Sequence, residues 1–311
     1  MALRILERGS LTGPSGAAEP IDEVVLFDTP STTPLPLSDS RIKVVRGDIS
    51  DRTAVTNLID RPDLSVFHLA SVVSGGAELD FDLAMRVNLE GHLHLLEALR
   101  ALKARPRHVF ASSIAVYGGA LLPSPVTEAT RQIPQTTYGM TKAVGELLVN
   151  DYSRKGFIDG RAARLPAVIV RPGAPNKAAS SFVSGILREP LNGVDVALPV
   201  PLETSMVVAG YRSVVDNLIE IHELDGAQLG DDRTLNLPNR KVSLAEMAES
   251  LERASGGRAL GKITVSPDPF VEKIVAGWPV GLDATRAKVL GLTEAGSLET
   301  VIGEYIADYL K

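Results

Sequence analysis

HVFASSIAVYGGALLPSPVTEATRQIPQTTYGMTKAVGELLVN, residues 108–150, decides how the whole chain is read. His108 to Ala111 is an apolar run that reads as a strand and delivers Ser112 and Ser113 to the loop beyond it. Thr136 is placed to open a helix carrying Tyr138 and Lys142. Residues four apart share one helix face, so the Lys142 ammonium is predicted beside the Tyr138 phenol. A nearby cation favours the phenolate, and moving a phenol from about 10 toward 7 takes roughly 4 kcal/mol of differential stabilisation. The phenol then becomes a usable proton acceptor at neutral pH, with Ser113 placed to hold a substrate hydroxyl or carbonyl oxygen.

Working outward, short apolar runs alternate with helical patterns. Strands are predicted at 23–27, 42–45 and 64–69, helices near 51–60 and 79–103, and a further strand within RLPAVIV, 164–170. Alternating strands and helices indicate βαβ units and a parallel sheet, and continuous apolar runs suit strands buried on both faces. ALRILER, residues 2–8, reads as the last turns of an amphipathic helix, with Leu3 and Leu6 on one side and Gly9 as its stop. SLTGPSGAAEP, 10–20, reads as a polar loop, and the Pro-rich run TPSTTPLPL, 29–37, as a surface connection. Beyond residue 173 the pattern is less regular, with helices near 178–188, 212–224, 243–254, 283–290 and 297–310 and short strands between them. Asp28, at the tip of the second strand of a dinucleotide fold, would accept hydrogen bonds from ribose hydroxyls and repel a 2′-phosphate. No Arg or Lys follows it within ten residues, which favours NAD over NADP.

Bulk properties narrow the class. The chain has 311 residues, 44% hydrophobic and 23% charged, with a net charge of −6 and no cysteine. Negative charge argues against a nucleic-acid partner, and the missing thiols exclude disulfides, thiolate zinc sites and a cysteine nucleophile. No apolar run reaches membrane-span length and the start lacks a signal peptide's apolar centre, so a cytoplasmic enzyme is expected. His92 and His94, two apart on a helix, point to different sides, and His68 inside a strand reads as a satisfied core residue; no metal site is expected.

The ordered set of strand, Ser-Ser, Val-Tyr-Gly and Tyr-Gly-x-x-Lys helix resembles the extended short-chain dehydrogenase/reductase family. The resemblance implies an α/β fold of Rossmann type, a doubly wound parallel sheet, with a smaller C-terminal α/β substrate lobe. Residues 1–172 would form the NAD-binding part and 173–311 mainly the lobe, some segments returning to the first. Ser113, Tyr138 and Lys142 would be the catalytic trio. Asp48 matches the position beside the adenine, although Ser50 and Asp51 also allow a helix-cap reading. Ala70, Ser71 and Ser74 would face the pyrophosphate and nicotinamide riboside, Asn88 would brace that loop, and Pro172-Gly173 would pack at the carboxamide. ARLPAVIVRPGAPNKAASSFVSGILREPLNG, GPSGAAEPIDEVVLFD and IVAGWPVGLDATRAKVLGL are similar to the branch of the family that oxidises D-erythronate. This implies NAD-dependent oxidation of the C2 hydroxyl of a small sugar acid. Asn176, Lys177, Arg188 and Arg212 are the candidates for the substrate carboxylate, and a homodimer is possible by analogy.

One element of the family pattern does not occur. The first strand and its glycine-rich turn, which hold the pyrophosphate, have no counterpart here, because Gly9, Gly13 and Gly16 are wrongly spaced. Residue 1 corresponds to a point inside the first helix, so a start placed too far downstream, or a decayed copy, is the expectation. The alternatives to a sugar-acid dehydrogenase are a nucleotide-sugar epimerase or dehydratase on the same scaffold, or an inactive remnant. Ile114 after Ser113, where dehydratases carry an acidic residue, weighs against the dehydratase.

Overall fold

The computed structural model describes residues 1–30, 39–171, 173, 179–294 and 296–310. A short helix, α1 (Ala2–Arg8), is closed by Gly9 at φ 78°, where a left-handed residue is needed. It buries Ile5 and Leu6, while Leu3 stays exposed. The segment read as a loop is an antiparallel hairpin, with Ser10–Thr12 paired to Ala18–Pro20. Strands of three residues are too short to carry a legible period.

The parallel strands follow. β1 (Val24–Asp28) pairs with β2 (Ile42–Arg46), and α2 (Arg52–Leu58) starts at an Asp51 cap that accepts from the Thr53 and Ala54 amides. β3 (Ser65–His68) comes next, and then the helical region predicted as one run from 79 to 103. It is instead divided into Ser74–Leu79, Phe81–Ala84, a π-helical turn Met85–Glu90, and α3 (Gly91–Ala101). Asp80 causes the first break, because its side chain accepts from the Leu83 amide and restarts the helix.

β4 (Arg107–Ser113) is the central strand, buried along nearly its whole length. α4 (Thr137–Arg154) packs on it through small residues. The strand expected in 164–170 is two strands in two sheets: β5 (Asp159–Leu165) beside β4, and β6 (Ala167–Ile169) in a second sheet. Pro166, which has no amide to donate, stands where the chain changes sheet. α5 (Ser181–Leu191), β7 (Ser205–Gly210), α6 (Tyr211–Glu223), β8 (Thr234–Asn236), β9 (Arg240–Ser243), α7 (Leu244–Ala254) and α8 (Leu298–Tyr309) complete the main elements.

The first sheet has the order β8-β5-β4-β3, all parallel, and the second the order β9-β7-β6. The β1–β2 pair forms a separate two-stranded sheet among the described residues. One core lies between β6, β7 and helices α5, α7 and α8; a second lies between β4, β5, β8 and α6. Each fully buried Ile, Leu or Val there contributes about 1.5–3 kcal/mol. No described helix is long and apolar enough to cross a membrane.

Candidate active site

A cleft of about 410 Å³ opens at the carboxyl ends of β3 and β4 and is shared with β6, β7 and α6. Ser71, Ser74, Ser113, Tyr138 and Lys142 all line it. Ser113 reaches it because β4 ends there and turns into a 3₁₀ segment, Ile114–Val116, capped by the Ser113 oxygen accepting from the Ala115 amide at 3.2 Å. Tyr138 and Lys142 reach it from the first turns of α4. Thr136 caps that helix by accepting from the Gly139 amide at 3.0 Å. Gly139 is required where it stands, since a Cβ there would lie 2.1 Å from the Ala115 carbonyl oxygen. This contact seats the helix against the end of β4.

Lys142 is 3% exposed and its Nζ donates to the Ala111 carbonyl at 2.8 Å, 4.7 Å above the Phe110 ring and 5.5 Å from the Tyr138 ring. The electrostatics differ from the sequence expectation. Burial pushes the Tyr138 phenol above its ordinary pKa, and only the neighbouring Ser113 hydroxyl works the other way. Lys142 is itself pushed down to about 7 by burial, partly opposed by Glu146. Both groups are packed into the wall of the cleft, and desolvation disfavours the charged form of each.

The loop over β3 is braced as the resemblance implied. Asn88 Oδ1 accepts from the Val72 amide at 2.7 Å, and its Nδ2 donates to the Val72 carbonyl and to Thr141 Oγ1. The π-turn supplies this Asn, a common role for such bulges at functional sites. Ser74 accepts from the Ala179 amide at 3.1 Å, while Ala70 is exposed and outside the cleft lining.

Other candidates fall elsewhere. Asp28 and Asp48 are exposed beyond the cleft: Asp28 accepts from the Thr29 amide, and Asp48 accepts from both the amide and hydroxyl of Ser50. The cap of α2 is Asp51 and not Asp48. Arg46 lies opposite Asp28 in the strand register and donates to the Thr29 carbonyl at 3.2 Å. Arg188 is 2% exposed, ion-paired to Glu189 and outside the cleft lining, so it is spent on the fold. Arg212 is on the surface, paired with Asp308. Gly173 is exposed at φ 97°; Pro172, Asn176 and Lys177 lie outside the described residues.

Two features went unread in the sequence. Arg171 lines the cleft half-buried, its pKa lowered by burial and by Arg188, and no described carboxylate pairs with it. It follows Val170, a buried β-branched residue at φ 51°, a strained conformation that the surrounding packing maintains. Behind Ser113, Glu146 accepts from Ser112, Gln132 and Arg164, and Arg164 donates to Tyr117. Tyr117 in turn donates toward the Thr127 carbonyl and Asn236.

A doubly wound parallel sheet with its cleft at the carboxyl ends of the strands is the arrangement in which such folds bind dinucleotides and their substrates. Residues 14–204 match the NAD dependent epimerase/dehydratase family, and the chain belongs to it. Among its relatives, D-erythronate dehydrogenase of Cupriavidus necator is 46% identical over 99% of this chain and 94% of its own length. The D-erythronate dehydrogenase of Haemophilus influenzae is 39% identical over 92% and 90%. The crystal structure of a nucleoside-diphosphate-sugar epimerase from Agrobacterium tumefaciens superposes with a TM-score of 0.88 at 38% identity, covering 99% of this chain and 90% of that one.

Family membership implies a nicotinamide dinucleotide cofactor. The cleft fits the nicotinamide riboside end of such a group. An ammonium has three donors, and among the described residues only the Ala111 carbonyl takes one from Lys142, so the other two would be open to ribose hydroxyls of a bound cofactor.

Proposed function

We propose that the chain is an NAD-dependent dehydrogenase that oxidises the C2 hydroxyl of a small sugar acid of the D-erythronate kind to the 2-keto acid. One observation carries this reading: Ser113, Tyr138 and Lys142 share a cleft with the guanidinium-bearing Arg171, which no carboxylate among the described residues pairs. The trio handles a hydroxyl proton, and a guanidinium recognises a carboxylate through paired hydrogen bonds. The relatives named as D-erythronate dehydrogenases support the same substrate class.

Ser113 orients the substrate oxygen and Tyr138 accepts its proton as the C–O bond becomes a carbonyl. Bound, the nicotinamide supplies the acceptor for the hydride leaving C2. The raised pKa of Tyr138 and lowered pKa of Lys142 describe the cleft without anions. An anionic substrate favours protonated Lys142, and a charged Lys142 then draws the phenol down toward a useful range. Asp28, at the carboxyl end of β1, is the basis for choosing NAD over NADP.

The test follows absorbance at 340 nm with NAD or NADP and with D-erythronate, other C4 sugar acids, or a UDP-sugar. Tyr138→Phe is expected to lower kcat by about 10²–10⁴-fold, the usual worth of a positioned base. Full turnover in that variant refutes the mechanism. Arg171→Ala is expected to raise KM for sugar acids by roughly 10–100-fold, the worth of a hydrogen bond to a charged group, with a smaller change in kcat. An unchanged KM removes Arg171 from the carboxylate subsite without touching the role of Tyr138.

A further inference from the structure

Three imidazoles from three elements meet behind β4. His68 closes β3, His108 lies on β4 and His92 on α3. The strand register explains the meeting. His68 pairs with Phe110, and alternate residues of a strand share a face, so His68, His108 and Phe110 point to one side of the sheet. α3 lays His92 on that side, stacked on Phe110 at 4.4 Å and edge-on to His68 at 4.6 Å between ring centroids. His68 is 4% exposed, and His92 and His108 are wholly buried. A ligating nitrogen from each lies within 4.8 Å of the others.

All six ring nitrogens lack a hydrogen-bond partner among the described residues. The Ala70 backbone approaches His68 without completing a bond of ordinary geometry. Buried polar groups in folded proteins are nearly always satisfied, so six orphans in one spot require an explanation. His68 is therefore a core residue but not a satisfied one. His94 is not part of the cluster, as its spacing from His92 indicates; the partners of His92 come instead from strands 24 residues before it and 16 after it in the chain.

We propose that His68, His92 and His108 form a binding site for one borderline first-row metal ion, zinc foremost, which fastens β3, β4 and α3 together. The donor set selects the metal. Imidazole nitrogen without carboxylate or carbonyl oxygen suits zinc, cobalt, nickel or copper and not magnesium or calcium. Burial keeps all three rings neutral, the form that ligates. A tetrahedral zinc with bonds near 2.0–2.1 Å places its nitrogens roughly 3.3 Å apart, within reach of small ring rotations from the present separation, with a water or hydroxide as fourth ligand. Gly145 of α4 leaves the room: a Cβ there would lie 2.6 Å from the Phe110 ring and 3.1 Å from His92 Nδ1. The ionisable neighbours are Arg161, a cation, and Lys142, whose charged form burial disfavours, and neither is a carboxylate, so affinity is set by imidazole alone and is weaker than in a carboxylate-supported site. Phe110 separates the cluster from the cleft, which makes the role structural.

The full chain, stripped with chelator, is titrated with zinc and in parallel with cobalt(II). The expected results are about one ion bound per chain, a visible ligand-field band of tetrahedral cobalt, and a Tm that rises with zinc and falls with chelator. His92→Phe keeps the ring stacked on Phe110 and is expected to lose the ion, the band and the Tm response; His94→Phe keeps all three. If His92→Phe does not fold, the wild-type cobalt titration decides by itself. A wild-type chain with no stoichiometric metal, no band and the same Tm with and without chelator overturns the proposal and assigns the nitrogens to enclosed water. Stoichiometric metal retained by folded His92→Phe overturns it equally.

Discussion

Ser112 and His108 lie on the same face of β4, four residues apart, and the polar groups around them are satisfied to opposite degrees. At the Ser112 end, Glu146 is 3% exposed and accepts from Ser112, Gln132 and Arg164, while Arg164 also donates to Tyr117. At the His108 end, six imidazole nitrogens have no described partner. Phe110 stands between the two, with Lys142 over its ring. The paired end supports the end of β4 that carries Ser113, where a fixed geometry matters for chemistry. The orphaned end lies deeper in the sheet, where satisfaction has to come from something other than a side chain. Burial alone therefore does not mark a polar residue as structural or functional; the count of its unmade bonds does.

Breaking the paired end is expected to have the largest effect. Glu146→Leu leaves the Arg164 guanidinium buried without its counter-charge, at a cost of about 3–5 kcal/mol in urea unfolding at neutral pH. Adding Arg164→Met removes the stranded charge and recovers most of that loss, because a well-packed apolar pair is often as stable as the ion pair it replaces. If the single variant unfolds at the wild-type midpoint, the pair is not holding this end of β4.

Lys142 sharpens the comparison, because it lies between the two clusters and its pKa is pushed down to about 7. The unfolded chain takes up a proton on this lysine as pH falls through the ordinary lysine range, whereas the folded protein does so only near 7. Stability is therefore lost as pH falls between those values and changes no further below them through this group. Lys142→Met removes the penalty, with a gain on the order of a few kcal/mol at pH 7 that fades toward pH 10, while abolishing turnover. Urea curves at several pH values check the sign; a variant with the wild-type pH slope contradicts it.

The smallest effect belongs to the orphaned end without metal. His92→Phe in chelator replaces two unsatisfied nitrogens by carbon and is expected to change stability by less than about 1 kcal/mol, in the favourable direction. In zinc the same substitution is expected to be destabilising relative to wild type. The reversal of sign between the two conditions, read by thermal unfolding, separates an ion site from a patch of packed rings.

The candidate trio was legible in the sequence because its parts are local. A strand end, a cap at Thr136 and a four-residue spacing on one helix place Ser113, Tyr138 and Lys142 within a single β–α unit. Asn88 was legible through the family resemblance. The two sheets meeting at Pro166 were not, since one apolar run can feed either sheet, and Asp80 restarting a helix was hidden inside an otherwise helical pattern. Arg171 was not read from the sequence, and the ion pairs of Arg188 with Glu189 and of Arg212 with Asp308 were not either, because burial and pairing are not written in a spacing.

The chain by itself determined the alternation of strands and helices, the parallel sheet and the meeting of Ser113, Tyr138 and Lys142 at one cleft, all consequences of periodicity and short-range geometry. Tertiary structure alone decided which polar groups meet: Glu146 with Arg164 across α4 and β5, Arg171 at the cleft, and His68, His92 and His108 on one side of the sheet. Those outcomes depend on the register between strands and on how far water is excluded. Side chains distant in sequence share a dielectric only once the fold has brought them together.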